Sequence, residues 1–300
     1  MSLNISGSDI SGVTANGLPF IFAGKNRALD FSCFNIAADT QDYFREKVRT
    51  ESGKTQFFNA GRWKDFEQKT ASITINERGQ DPRTLPVTLR FRDGWPVVSD
   101  LFADTINPDV ISLTYLRADV SEITALFAYP FSDTIGAAVK SIQKMKCPPK
   151  VFLFSSEGAA TAAYAGQIPS RDIRRGIIFD GERGSNPGLI ELGRFTVDSR
   201  RDTLIAGSSM FDREPAPLRQ FIHHRDRARQ ETLQQALSSV SSLVGPREVK
   251  NLLRNTVSSI ARATAPVFYS ILDRVPIPSA RLCRIYFKNW DFSMDRNSIP

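Results

Sequence analysis

Apolar and polar residues alternate in SITINERGQDPRTLPVTLRFRDGW, a stretch that begins at Ser72 and limits the folds open to this chain. Successive side chains of a strand point to opposite faces, so a period of two predicts two strands. The intervening RGQDP has a glycine suited to positive φ and a proline of fixed φ, which is typical of a turn. The pattern predicts a β-hairpin that buries one face and presents Thr88, Arg90 and Arg92 on the other.

Most other periodic segments favour helices. A short helix is predicted from Thr40 in TQDYFREKVRTESGK, with helical pieces in the segment between Pro96 and Pro130 and a helix in DTIGAAVKSIQKMKC. Apolar residues recur at helical spacing through residues 218–244, and a second helix follows Pro246. VFLFSSEGAATAAYAG is expected to be a buried element, while ALDFSCFNIAA suits either a strand or a helix. These features together predict a mainly α fold with a short β-hairpin.

Changes in composition and proline-rich breaks divide the chain into four parts. Residues 1–17 are small and polar, which suggests an N-terminal arm, and CPPK marks a boundary near residue 148. We therefore expect an N-terminal lobe at 18–148, with the hairpin at 70–92, and a mainly helical C-terminal lobe at 149–280. An aromatic tail behind a proline-rich break forms the predicted C-terminal arm, 281–300.

The bulk numbers describe an ordinary folded protein. The chain has 300 residues, 41% of them hydrophobic, and no apolar run of the length that a membrane span needs. The N-terminus lacks the basic start and apolar core of a secretory signal. The three cysteines are far apart and form no CxxC, so we expect a reducing compartment and predict neither a metal site nor another cofactor.

Several enzyme motifs are absent from the sequence. The nearest match to a phosphate-binding loop, GLPFIFAGKN, has Pro19 in place of its first glycine and Asn26 in place of Ser or Thr. The two histidines are adjacent, so they cannot hold a metal from one helix face. The segment IIFDGERG places Asp180 and Glu182 in a loop. These two carboxylates could bind a metal or act in acid-base chemistry, or they could balance the charge of nearby arginines. The chain is therefore not predicted to be an enzyme.

Basic residues are concentrated in a few segments. Residues 100–139 hold one Arg and six acidic residues, whereas residues 140–184 hold eight basic and four acidic residues. Such segregation favours a surface for an anionic partner, on which aromatic side chains receive bases. Arginine suits phosphate because its planar fork donates two hydrogen bonds. The candidate RNA-binding residues are Arg62, Lys64, Arg90, Arg92, Lys140, Lys144, Lys146, Lys150, Arg171, Arg174 and Arg175.

Four segments within residues 28–145 occur in a suggestive order: ALDFSCFN, FFNAGRWKDF, the hairpin with its Thr88-Leu89-Arg90 step, and ITALFAYPFSDTIGAAVK with Tyr129-Pro130. This order resembles that of the nucleoproteins of segmented negative-strand bunyaviruses, of the peribunyavirus and tospovirus type. The resemblance implies a mainly helical, two-lobed nucleoprotein core with a basic groove and with flexible N-terminal and C-terminal arms. Such proteins coat single-stranded RNA.

The same resemblance implies the partners and the location. Single-stranded RNA would lie in the groove, the arms would join protomers into a homo-oligomer, and a viral RNA polymerase would be a further partner. The expected location is the virion and the host cytoplasm, without membrane insertion. Two alternatives stay open, namely another viral structural or movement protein that binds nucleic acid, and a non-viral enzyme or effector that uses Asp180 and Glu182.

Overall fold

The computed structural model describes residues 2–5, 8–18, 20–36, 38–102, 109–171, 178–183, 188–194, 196–199, 227–238, 245–296 and 298. Within them the strands are β1 (Ser2–Ile5), β2 (Ser8–Val13), β3 (Ala23–Lys25), β4 (Asp30–Asn35), β5 (Gln41–Glu46), β6 (Val48–Glu51), β7 (Lys54–Asn59), β8 (Arg62–Asp65), β9 (Glu67–Ile75), β10 (Arg83–Arg92), β11 (Trp95–Pro96), β12 (Val110–Tyr115), β13 (Lys150–Ser156), β14 (Ala159–Ala165), β15 (Gln167–Pro169), β16 (Ile178–Asp180), β17 (Leu189–Glu191) and β18 (Thr196–Ser199). The helices are α1 (Val120–Ala128), α2 (Ile135–Ile142), α3 (Arg227–Ser238), α4 (Pro246–Leu253), α5 (Ser259–Leu272) and α6 (Pro278–Asn289).

The largest sheet is antiparallel and has the strand order β1-β2-β3-β4-β13-β14-β18. Its interior strand β13 is apolar on both sides, since Phe152 and Phe154 face one core cluster while Val151 and Leu153 face the other. A strand covered on both faces reads as a continuous apolar run, which explains the sequence VFLF. Gly158, with φ of 75°, forms the turn into the alanine-rich β14.

Helices α1 and α2 cover one face of this sheet. Tyr129, between them, is fully buried, and its ring lies edge-on to Phe31, Phe152 and Phe154 at centroid distances of 5.3, 5.2 and 6.0 Å. Its hydroxyl donates a hydrogen bond to the carbonyl of Ile21, so the polar end of the ring is satisfied. Burial of each such phenylalanine side chain stabilises the fold by about 1.5–3 kcal/mol.

Strands β9 and β10 form an antiparallel hairpin over the alternating stretch, in a register from Arg83 opposite Ile75 to Phe91 opposite Glu67. β10 also pairs with β11. A bridge between Val97 and Ser112 then connects this unit to the sheet β12-β5-β16. The base of the hairpin is therefore enclosed, and the free end is exposed.

The prediction of a mainly α, two-lobed nucleoprotein core with flexible arms was wrong, because most of the described N-terminal two thirds is β-structure. The segment predicted as a helix from Thr40 is β5, in which Asp42, Phe44 and Glu46 are buried and the residues between them are exposed. Two of the three buried residues are acidic, which concealed the period of two. The predicted N-terminal arm includes β1 and β2 of the large sheet, with Ile10 in the core.

The predicted boundary at residue 148 lies just before β13, whose neighbours in the sheet are β4 and β14. The predicted helix at 218–244 lies largely outside the described residues, which include only α3 from it. No helix among the described residues is long and apolar enough to cross a membrane.

Candidate functional site

A cleft of about 550 Å³ opens at one end of the large sheet. Its walls come from the segment joining β2 to β3, the end of β4, helix α1 and the start of β13. The apolar lining consists of Leu18, Phe20, Phe22, Phe34, Ile123, Leu126 and Pro148. The polar lining consists of Cys33, Asn35, Glu122 and Lys150. We call this space the Lys150 cleft.

Sheet register places Lys150 beside Asn35. The two residues are direct cross-strand partners in the pairing of β13 with β4, so their side chains leave the sheet on the same face. The Lys150 ammonium donates a hydrogen bond of 2.6 Å to the Asn35 Oδ1. Because the Lys150 side chain is only 8% exposed, its charge needs a close partner.

That partner is Glu122, in the first turn of α1. Its Oε1 lies 3.3 Å from the Lys150 Nζ, and its side chain is 19% exposed. Asp119 caps this helix by accepting a hydrogen bond from the Ser121 amide, which fixes where the first turn begins. A carboxylate in the first turn is also favoured by the helix dipole. The cap therefore holds Glu122 over the end of the sheet.

Cys33 lines the same cleft but is a weak nucleophile. Burial raises the pKa of its thiol, and the hydrogen bond with Tyr129 and the charge of Lys150 oppose this rise only in part. The Tyr129 Oη lies 3.7 Å from the Cys33 Sγ. Since the thiolate is the reactive form of cysteine, a raised pKa leaves little of it near neutral pH.

A second charged cluster lies in the sealed interior around Arg92 and Glu46, both with fully buried side chains. The Arg92 Nε is 3.2 Å from the Glu46 Oε2, and the Arg92 Nη2 donates to the carbonyl of Gly181. Glu46 accepts a short hydrogen bond from Ser112. Burial raises the pKa of Glu46, while the contacts with Ser112 and Arg92 lower it. This cluster joins β5, β10, β12 and the turn after β16.

The described residues among those predicted to bind RNA lie in different environments. Arg90 forms several hydrogen bonds to Asp100, and Arg92 is enclosed as described. The Arg171 side chain is 5% exposed and pairs with Asp42 and Asp39. Arg62, Lys64, Lys140, Lys144 and Lys146 are exposed, Lys150 lines the cleft, and Arg174 and Arg175 lie outside the described residues.

Asp180 and Glu182 have structural contacts instead of a shared site. The Asp180 carboxylate accepts a hydrogen bond from the Glu182 amide, and Glu182 pairs with Lys47 at 2.8 Å. In the part of the chain that the structure describes, no three His, Cys, Asp or Glu side chains are arranged to hold a metal ion.

The sequence reasoning missed most of the cleft. Phe20, Phe22, Asn35 and Glu122 were not candidates, and Lys150 was one for a different reason. ALDFSCFN alternates with a period of two, which would place Cys33 and Asn35 on one face had a strand been chosen for it. No local pattern indicates that α1 then lies over that face.

A family model described as penicillin amidase matches residues 1–300. The match covers the whole chain, and the chain therefore belongs to the penicillin amidase family. A likeness in fold accompanies this match. The thermostable penicillin G acylase from Alcaligenes faecalis superimposes with a TM-score of 0.63 at 15% identity, over 98% of this chain and 53% of that chain.

Two curated relatives are similar in sequence. The acyl-homoserine lactone acylase QuiP of Pseudomonas putida is 25% identical over 218 residues, which is 72% of this chain and 24% of that protein. QuiP of Pseudomonas syringae pv. syringae is 37% identical over 54 residues, or 18% of this chain and 7% of that protein. The chain thus spans about a quarter of the length of the first relative.

These findings overturn the interpretation as a bunyavirus-type nucleoprotein. The predicted partners, single-stranded RNA, neighbouring protomers of a coat and a viral polymerase, are overturned with it. The prediction of a non-enzymatic protein was wrong because the family is one of amidases. The relatives are bacterial acylases, so the predicted location in a virion and the host cytoplasm was also wrong.

Proposed function

We propose that the protein to which this chain belongs hydrolyses the amide bond of an acylated small molecule. In this reaction the C–N bond breaks, the acyl carbon gains a hydroxyl group from water, and the amine leaves with the remaining proton. The family match supports an amidase, and the names of the relatives describe acylases of acyl-homoserine lactones and penicillin G. The acyl group of the substrate is assigned to the Lys150 cleft.

The observation that carries this proposal is the lining of the cleft, which is apolar except for Cys33, Asn35, Glu122 and Lys150. Phe20 packs edge-on against Phe127 of α1 at a ring-centroid distance of 4.7 Å, and Leu126 is buried in the core cluster against which Phe20 packs. Lys150 and Asn35 are two of the four polar residues in this lining. Ligand pockets are typically apolar with a few placed polar groups, which matches an acyl chain that ends in a carbonyl.

Cys33 is not assigned the role of nucleophile. Its raised pKa and its burial beside Tyr129 leave the thiol protonated at neutral pH. We expect the Cys33→Ala variant to keep its hydrolytic activity within about threefold, whereas an essential nucleophile would cost several orders of magnitude.

Filling the cleft tests the proposed function. The protein would be given N-octanoyl-homoserine lactone and, separately, penicillin G, and the released amine would be quantified. Ile123→Trp places a large ring at the cleft wall and should lower kcat/KM at least tenfold. Val120→Trp is the matched control, because Val120 is 76% exposed on the same helix and does not line the cleft.

The control should change kcat/KM less than twofold. Absence of amine release from both substrates would contradict the proposed activity. Equal effects of the two tryptophan variants would contradict the assignment of the acyl group to this cleft.

A further inference from the structure

A second cavity, of about 320 Å³, shares no lining residue with the Lys150 cleft. Its walls come from the turn between β10 and β11, from β5, β15 and β17, and from the end of β12 with the residues that follow it. We call this space the Arg117 pocket. We propose that it is a separate binding site for a small aromatic carboxylate. This ligand is distinct from the amide substrate, so the inference does not depend on the proposed function.

The Arg117 guanidinium is held in place in the wall of this pocket. It lies over the Trp95 ring at 4.5 Å from the centroid, and its Nη2 donates a hydrogen bond of 2.8 Å to the carbonyl of Gly94. Both residues of the Asp93-Gly94 turn have positive φ, which suits the tight connection from β10 to Trp95. The ring and the turn therefore position the cation before any ligand arrives.

A second arginine stacked on a tryptophan shows how Arg117 differs. Arg49 lies over the Trp63 ring at 4.6 Å. Its Nη2 pairs with the Glu51 carboxylate at 2.5 Å, and its Nε donates to the Gln56 Oε1. Among the described residues, Arg117 has no acidic partner and makes a single hydrogen bond. Most N–H groups of its planar fork thus remain for a ligand, and such a fork matches the two oxygens of a carboxylate.

The acidic residues of the lining do not neutralise Arg117. Asp42 is paired with Arg171. Asp93 is paired with Lys64, whose Nζ lies 3.0 Å from the Asp93 Oδ1. Because both carboxylates already have a cation, the guanidinium gives the lining a net positive charge. The pocket therefore favours an anion over a neutral ligand of the same shape.

A buried hydroxyl offers a second polar contact to the ligand. Thr114 is only 7% exposed and lines the pocket beside Asp42, its cross-strand partner in the pairing of β12 with β5. Within the described part of the chain, the Thr114 Oγ1 has no hydrogen-bond partner. Buried polar groups are nearly always paired, so an unpaired hydroxyl at a cavity wall indicates a place for a ligand oxygen.

The rest of the lining indicates an aromatic body for the ligand. The Tyr115 ring lies edge-on to Trp95 at a centroid distance of 5.3 Å, and Pro169 and Leu189 add apolar surface. The cavity is at the lower end of the range for ligand pockets, about 300–1,000 Å³, so the ligand is small. One aromatic ring with one carboxylate meets these conditions, and benzoate is the simplest such molecule.

Fluorine NMR of the 300-residue chain labelled with 5-fluorotryptophan tests the inference. The chain has three tryptophans, and a Trp95→Phe variant assigns the Trp95 resonance. Titration with benzoate at pH 7 should shift this resonance and leave that of Trp63 in place. Benzamide has the same shape without the charge, and inorganic phosphate has charge without the ring. Each of these two should bind at least tenfold more weakly than benzoate.

Two variants examine the proposed contacts, and a third is the control. Arg117→Met should reduce benzoate affinity at least tenfold, to that of benzamide, because it removes the charged fork. Thr114→Val keeps the shape of the side chain and should weaken benzoate binding several-fold. Arg49→Met removes the other arginine that is stacked on a tryptophan and should change benzoate affinity less than twofold. Both arginines carry exposed surface, so both methionine variants should fold.

A Trp95 resonance that does not move with benzoate would overturn the inference, and so would an unchanged benzoate affinity in Arg117→Met. Equal affinities for benzoate and benzamide would contradict recognition of the charge. Phosphate bound as tightly as benzoate would contradict an aromatic ligand. Benzoate bound only in the Lys150 cleft would also count against the inference, and it would leave the Trp95 resonance in place, because none of the described residues lining that cleft is a tryptophan.

Discussion

Replacement of Arg92 by methionine should be among the most destabilising single changes in this protein. Both side chains of the Arg92–Glu46 pair are fully buried, so loss of the cation leaves an unpaired carboxylate in the interior. Loss of one partner of a buried ion pair typically costs about 3–5 kcal/mol. The carbonyl of Gly181 also loses its donor. We therefore expect a decrease of about 3–5 kcal/mol in the free energy of unfolding at pH 7.

The assay is a urea titration followed by tryptophan fluorescence, with Arg83→Met as the matched control. Arg83 lies on the same strand and also has an acidic partner, Glu77, but its side chain is 69% exposed. An exposed pair contributes about 0–1 kcal/mol, so the control should remain near wild type. The contrast isolates burial, since residue type, strand and kind of partner are the same.

The double variant Arg92→Met with Glu46→Gln should lose less stability than Arg92→Met alone, because it leaves no unpaired charge inside. The decrease in the free energy of unfolding caused by Arg92→Met should also become smaller as the pH falls from 7 to 5. Burial raises the pKa of Glu46, and without Arg92 the folded state gains more by protonating it, so stability is present at low pH and lost as pH rises. A loss below about 1 kcal/mol for Arg92→Met, or strict additivity in the double variant, would refute this reasoning.

Two further predictions concern close packing and a thiol. Gly181→Ala should lower the free energy of unfolding, measured by thermal unfolding, by about 1–3 kcal/mol. The reason is that its Cβ would lie 2.6 Å from the Glu46 Oε2 and 2.7 Å from the Arg45 carbonyl oxygen. Gly136→Ala, which has open space in helix α2, should be neutral or stabilising. Equal stability of the two variants would contradict it. The rate of Cys33 alkylation by iodoacetamide, followed by peptide mass spectrometry, should still rise above pH 9, because burial raises the pKa of the thiol. A rate that is already constant below pH 8.5 would contradict a raised pKa.

The β-hairpin was the part of the fold most open to sequence reasoning. Its alternation is local, its turn residues are distinctive, and β9 and β10 form it in a regular register. Strand β5 could not be predicted from the sequence in this way, because Asp42 and Glu46 occupy buried positions where an amphipathic strand would have apolar residues. Their partners, Arg171 and Arg92, come from distant parts of the chain. Pairing over such separations leaves no periodic trace in the sequence.

The functional interpretation failed for a related reason. Arginines beside aromatic residues suggested a surface for RNA, and Arg92 does lie near the rings of Phe44 and Phe57, at 5.9 and 5.6 Å. These contacts are inside the protein. A guanidinium packed among aromatic rings has the same sequence neighbourhood in a sealed core as on a binding surface. Only the arrangement of the sheets separates the two cases.

Arg92 and Lys150 show how a buried cation with a structural role differs from one with a candidate binding role. Both lie at the ends of strands and both face an acidic partner. Arg92 has no exposed surface, so its interactions can change only if the core changes. Lys150 keeps a small opening toward an apolar cleft and an N–H that its two partners do not use. The ion pair with Glu122 compensates the charge of Lys150 in that cleft, whereas the ion pair of Arg92 with Glu46 compensates a charge inside the core.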